Sequence, residues 1–191
     1  MAYESVHLEN SIAIENIISV HYFQYMSDFS FPGESHDFWE LVCVDRGEII
    51  AVAGDRQLAL KKGNILFHKP NEFHNVLTNG RISPSLVVIG FDCHSPCMKA
   101  FEDQLMNVQD TEKELLAKII VEARNTFDGR LDDPYQEKLV FLEKQASFGA
   151  PQLIRHYLEQ LMIHLYRRYF SYPLPVRTNP VSYTHLRAHE T

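Results

Sequence analysis

Apolar positions recur with two different periods along this chain, and the change of period divides it. From Ile17 to about Phe91, short runs rich in β-branched and aromatic residues are interrupted, roughly every eight to twelve residues, by turn-forming sequence: FPGE, DRGE, AGDR, KKGN and TNGR. Val, Ile, Tyr and Phe suit a pleated, half-buried surface, while Gly and Asp tolerate the backbone of tight turns, so this half predicts antiparallel strands. In GEIIAVAGDRQLALKKG the turn AGDR sits between two such runs, the pattern of a hairpin. Many short strands must hide their edges, and closure into a small barrel is the expected solution.

After Pro96 the apolar spacing lengthens to three or four, which predicts helices. In DTEKELLAKIIVEARNTFDG, residues Leu115, Leu116, Ile119, Ile120, Ala123 and Phe127 form one stripe, with Thr111 and Glu114 as a capping box and Gly129 as the stop. A second helix, PQLIRHYLEQLMIHLYRRYF, starts near Pro151, places Arg167 and Arg168 at its negative end and stops at Pro173. Its stripe is wide enough to predict that Leu158, Leu161, Met162 and Leu165 contact a second copy of the chain, with packing on the first helix as the alternative. The segment between the helices reads as a loop with some helix. The fold expected is therefore α+β, a small antiparallel β-barrel followed by two long helices and a connecting loop. Its divisions are a sensing barrel at 1–95, a helical dimerisation region at 96–172, and a disordered linker and tail at 173–191. The closing VSYTHLRAHET has neither period, resembles translated adaptor DNA, and is set aside.

Composition narrows the function classes. Among 191 residues, 45% are hydrophobic and 23% charged, and no apolar run approaches the roughly 20 residues of a membrane span, so a soluble, cytoplasmic protein with no membrane partner is expected. The 18 Lys and Arg against 25 Asp and Glu leave a formal charge of −7, which argues against this surface neutralising nucleic-acid phosphates. Three cysteines, Cys43, Cys93 and Cys97, predict free thiols.

Candidate chemistry concentrates in ESHDFWELVCVDRGE, residues 34–48. On a strand, His36, Phe38, Glu40, Val42 and Val44 share one face, and Trp39, Leu41 and Cys43 the other. A regular strand would hold His36 and Glu40 roughly 13 Å apart, too far for a shared metal without a bend. GNILFHKPNEFHNV places His74 in the turn after Pro70, within reach of the barrel mouth. Cys93 and Cys97 flank His94 in DCHSPC, but with no second cluster they predict loop thiols, not zinc. His156 and His164 lie eight apart on the second helix, and an interface or snorkelling position accounts for them.

Residues Gly33 to Gly47 resemble the first cupin motif and Gly63 to His74 the second, with Glu34 where the first motif has a histidine and Glu72 where the second has glycine. The resemblance implies that His36, Glu40 and His74 occupy three ligand positions that could hold Mn, Fe or Zn. A wider resemblance, on ISVHYFQYMSDFSFPGESHDFWELVCVDRGE, LKKGNILFHKPNEFHNV, LVVIGF and FGAPQLIRHYLEQLMIHL, is to the N-terminal sensing domains of AraC-type transcription regulators, over nearly residues 1–172. It implies a small-molecule effector, often a sugar, in the barrel, a homodimer through the helices, and DNA contact only through helix-turn-helix units expected to be missing from this chain. The expected effector site is His36, Phe38, Glu40 and His74, with no cofactor, metal or catalytic residue. The alternative is a metal-dependent cupin enzyme of dioxygenase or isomerase type. No nucleophile with a partner is visible, so a non-enzyme is expected.

Overall fold

The structure is a computed structural model that describes residues 3–25, 31–78, 82–133, 136, 138–142 and 147–171. The tail set aside at 173–191 and the Pro173 stop lie outside these residues. Seven strands occupy the first half: β1 (Asn16–Gln24), β2 (Trp39–Arg46), β3 (Glu48–Ala53), β4 (Arg56–Lys61), β5 (Asn64–His68), β6 (His74–Leu77) and β7 (Ser85–Asp92). A 3-10 turn at Pro96–Phe101 leads to β8 (Leu105–Asn107), then α1 (Asp110–Arg124), a ribbon of β9 (Phe127–Asp128) and β10 (Val140–Phe141), and α2 (Ala150–Tyr169).

The predicted closed barrel is corrected to two antiparallel sheets. One has the order β1-β7-β2-β5-β8 and the other β4-β3-β6, with the β10-β9 ribbon apart. They pack face to face as a jelly-roll sandwich: Phe23, Val42, Val44, Leu66 and Leu86 of the larger sheet meet Ile49, Ala51, Ala53 and Leu60 of the smaller. The α+β class stands, as does the AGDR hairpin, in which β3 and β4 pair from Glu48–Lys61 to Ala53–Arg56.

Strand β2 explains the layering. It is buried from Trp39 to Val44 because each face is covered by a different layer. Val42 and Val44 enter the inter-sheet core, whereas Trp39, Leu41 and Cys43 join a second core under the helices. The alternation read from the sequence holds. Cys43, Cys93 and Cys97 are free thiols, and burial pushes the Cys43 thiol up to about 12.

The second core runs without a break across residue 95, from Ile12 and Phe91 to Leu115, Ile119 and Leu165. The segment after Pro96 also returns one strand to the larger sheet, β8 on β5, where only helices were expected. Three residues are too few to show a period. Between the helices a two-stranded ribbon stands in place of the expected loop with some helix. The cap of α1 also differs: Gln109, not Thr111, is the N-cap, and its backbone N–H donates to the Glu112 carboxylate at 2.7 Å. Buried Glu112 meets Arg168 of α2 at 3.0 Å, so one acid caps α1 and ties the two helices.

Leu158, Leu161, Met162 and Leu165 are each 0% exposed within the single chain, in the core shared with α1 and the sheet. The stripe is wide because α2 packs on α1 and joins the core under the larger sheet within the single chain. Among the described residues no helix is long and apolar enough to cross a membrane.

Leu161→Ala is expected to lower unfolding stability by about 2–5 kcal/mol through the lost transfer free energy and the cavity left behind. Urea denaturation at two protein concentrations checks this. A loss that vanished at high concentration would return Leu161 to an interface between copies.

Candidate functional site

A cavity of about 320 Å³ opens between the two sheets, lined among others by His21, His36, Phe38, Glu40, His74 and Asn75. All four residues expected to bind an effector are thus brought together. Glu40 arrives by strand alternation, on the same face of β2 as Val42 and Val44.

His36 arrives by a departure from the strand. It precedes β2, and the Asn71 amide donates to its carbonyl at 2.6 Å, drawing the chain towards the β5–β6 turn. The bend replaces the separation of a regular strand with a His36 Nε2 to Glu40 Oε2 contact of 3.6 Å. His74 opens β6 instead of standing in a turn, and exchanges both backbone hydrogen bonds with Glu34 at 2.9 Å. Phe38 lies flat on His36, with ring centroids 3.6 Å apart and planes 5° from parallel. Gly90 makes room for that ring: a β-carbon there would come within 2.9 Å of it and 2.7 Å of the Ser19 hydroxyl.

Four residues escaped the sequence reading: Asn75 beside His74 on β6, and Glu34, His21 and His68. Glu34 is half exposed, yet its carboxylate stands 3.8 Å from His74 Nε2. Its place in the first cupin motif was the available signal. His21 lines the cavity from β1, sharing a face with Phe23, and a lone histidine among apolar neighbours gives no distinguishing pattern. His68, fully buried, stacks on His74 at 4.5 Å and contacts Glu72 at 3.3 Å, forming a layer behind the site.

The imidazoles are oriented from behind. His36 Nδ1 lies 3.1 Å from the Phe38 carbonyl and His74 Nδ1 2.9 Å from the Glu72 carbonyl, so each is placed to donate outward and to turn Nε2 towards Glu40. Nε2 of His36 and of His74, Nδ1 of His21 and Oδ1 of Asn75 are buried without a hydrogen-bond partner among the described residues. Buried polar atoms are ordinarily satisfied, so this concentration around one cavity makes it the candidate ligand site.

Titration separates the groups. Burial pushes the Glu40 carboxyl up, but the His36 contact and the charges of His74, His68 and His36 outweigh it and hold the group below its ordinary 4.5. Burial lowers His36, yet Glu40 and then Glu34 and the Phe38 carbonyl prevail, leaving it above 6.5. His74 stays below 6.5 because burial, with the charges of His68 and His36, overcomes the pull of Glu40. His36 therefore takes a proton before His74 does.

The carboxylate and imidazole groups also fit a cation. One ligand atom each from Glu34, His36, Glu40 and His74 lie within 4.8 Å of one another, and the two nitrogens are oriented by second bonds, as metal-binding histidines are. Cys93 and Cys97 do not join such a group, and His94 pairs instead with Glu15 at 2.6 Å. His156 meets Glu159 at 3.4 Å on the outside of α2.

The His36–Glu40 contact sets a pH window. A carboxyl lowered on folding contributes stability that is complete above 4.5 and is lost as pH falls through its folded value. An imidazole raised on folding contributes stability complete below 6.5 and lost as pH rises through its folded value. Without metal, Glu40→Gln is expected to flatten the stability profile on both sides of that window, measured by denaturation in chelator from about pH 4 to about pH 8. Parallel profiles for the two proteins would exclude the contact as the source.

Known proteins resemble parts of this chain. Residues 16–80 match the AraC-like ligand binding domain. Over 45 residues the chain is 40% identical to the HTH-type transcriptional activator RhaS of Pectobacterium carotovorum subsp. carotovorum strain PC1, and equally to RhaS of Pectobacterium atrosepticum. Those matches span 24% of this chain and 16% of the length of each relative. The fold resembles apo ToxT K231A from Vibrio cholerae, with a TM-score of 0.51 and 10% identity over 83% of this chain and 59% of that one. The stretch similar to the AraC-like ligand binding domain runs from β1 to just past β6, and its strands contribute to both of the sheets that enclose the cavity.

Proposed function

We propose that this chain is the effector-sensing part of a cytoplasmic transcription regulator, and that its effector is a small polyhydroxylated molecule such as a sugar. The observation that carries the reading is the set of buried, unpartnered donors and acceptors around the inter-sheet cavity. Hydroxyl groups both donate and accept, so one such ligand satisfies imidazole nitrogens, the Glu40 carboxylate and the Asn75 amide oxygen together. The volume of about 320 Å³ lies at the lower end of the roughly 300–1,000 Å³ of small-molecule sites, which favours a compact ligand. Phe38, stacked on His36, adds an apolar wall to the cavity.

An effector changes the state of a regulator only by binding one state better than another. Strand β2 joins this cavity to the core beneath α1 and α2, which gives a bound effector a mechanical route to the helices. Pairing of two copies through the helices belongs to the proposal by their outer surface, where Val121, Leu153 and Tyr169 are exposed. DNA contact in this reading belongs to segments outside the present chain. Turnover by side chains alone is not favoured, since among the described residues the site holds no nucleophile activated by a base.

Calorimetric titration with free pentoses and hexoses tests the effector class. At least one is expected to bind, and His36→Ala or Glu40→Gln to weaken it at least about tenfold, the cost of leaving a buried polar partner unpaired. No binding across the series, or binding indifferent to both substitutions, would sink this reading.

One observation favours a second occupant of the same cavity: the four ligand atoms within 4.8 Å. Two nitrogens and two carboxylate oxygens suit Mn, Fe, Ni or Zn, and such an ion would supply a Lewis-acid centre for effector oxygens. In this second reading the chain binds one equivalent of Zn²⁺ or Ni²⁺ after chelator treatment, with His74→Ala reducing affinity at least about tenfold. Calorimetry with the metal salts alone checks it, and unchanged binding by the His74→Ala protein would assign the ion elsewhere.

A further inference from the structure

A second cavity, about 430 Å³, lies on the other face of the larger sheet beneath α1, away from the site already described. Its floor is apolar, formed by Cys43 and Val87 of the sheet with Leu116 and Ile120 of α1. Burial and the nearby Asp45 keep the Cys43 thiol neutral to about 12, so the floor bears no charge at neutral pH.

The mouth has the opposite character. Lys62 from the β4–β5 turn and Lys113 and Arg124 from α1 stand around it, against the single carboxylate of Asp45. Asp45 already accepts the Tyr22 hydroxyl at 2.9 Å, and Lys113 is engaged by Asp110 at 3.2 Å. Lys62 and Arg124 make no ion pair among the described residues. On a chain of net charge −7, an apolar hollow rimmed by three cations and one carboxylate is a local exception, although Arg124 also acts on the nearby Asp132.

We propose that this cleft is a second small-molecule site, for a compact amphiphilic monoanion. Its apolar body rests on Val87, Leu116 and Ile120, and its carboxylate or sulfonate head meets Lys62 and Arg124. The cations attract and orient the ligand, while removal of the body from water supplies most of the affinity. The two cavities share strands. His21 and Phe23 of β1 line the first, and Tyr22 between them lines the second; on β2, Glu40 lines the first and Cys43 and Asp45 the second. The existence of the second site does not depend on what the first cavity binds.

Fluorescence titration with 8-anilinonaphthalene-1-sulfonate tests the site, with N-phenyl-1-naphthylamine as the same apolar body without the anion. The sulfonate is expected to bind saturably at one equivalent and at least about tenfold more tightly than the neutral dye. Lys62→Glu combined with Arg124→Glu should weaken the sulfonate at least about tenfold and leave the neutral dye unchanged, and Ala117→Trp at the exposed rim should exclude both. Thermal unfolding establishes that each variant is folded. Lys62→Gln with Arg124→Gln makes the same comparison should charge reversal destabilise the chain. Sulfonate binding that survives charge removal, that persists in the Ala117→Trp protein, or that is absent from the native chain would overturn the proposal.

Discussion

The organisation of this chain follows from one strand covered on both faces. Strand β2 sends Val42 and Val44 into the space between the sheets and Trp39, Leu41 and Cys43 into the space under the helices, so it cannot slip by one residue without exchanging both sets. A carboxylate on such a strand meets water only through the inter-sheet cavity. Glu40 lies at the end of the inward-facing row, 9% exposed, and an isolated buried charge there would be costly. The neighbouring imidazoles make the position tenable: His36 and His74 each approach it at 3.6 Å, and His68 stands opposite on β5. Packing thus fixes the charge, and the charge gathers the histidines.

Much of this was legible in the amino-acid order. Alternation along residues 36–44 assigned the correct face to Glu40, Val42 and Val44, because a period of two survives wherever both faces are buried. The helical stripes of α1 and α2 were equally plain. Local periodicity does not report what lies opposite a surface, and two readings failed for that reason. The breadth of the α2 stripe suggested a second copy, yet Leu158 and Leu161 are consumed by α1 and the sheet within one chain. Likewise, short strands with turns every few residues look alike whether they close into a barrel or split into two facing sheets.

The sequence singled out His36, Phe38, Glu40 and His74 as candidates, but not the geometry that brings them together. The estimate that His36 and Glu40 stand far apart assumed an extended strand through both. Two non-local constraints defeat that assumption: the Asn71 amide holds the His36 carbonyl, and Glu34 pairs backbone to backbone with His74. Both join segments more than thirty residues apart, beyond any pattern read within a window. The same bridge carries Glu34 to the cavity mouth, where its exposure on an isolated loop would have argued for irrelevance.

The histidines also divide their roles by surroundings that no motif encodes. His36 and His74 both face Glu40 through Nε2 at the same distance, yet His36 rises above the ordinary imidazole value and His74 falls below it. The difference lies behind the rings. His36 is backed by the neutral ring of Phe38 and draws on Glu34 as well as Glu40, whereas His74 is stacked on His68, whose charge opposes a second proton nearby. One imidazole is thereby disposed to donate from Nε2 and the other to accept there, on either side of a common carboxylate. A hydroxylated ligand entering between them meets a donor, an acceptor and an anion in fixed order, and that order orients it before any contact with the rest of the cavity is made.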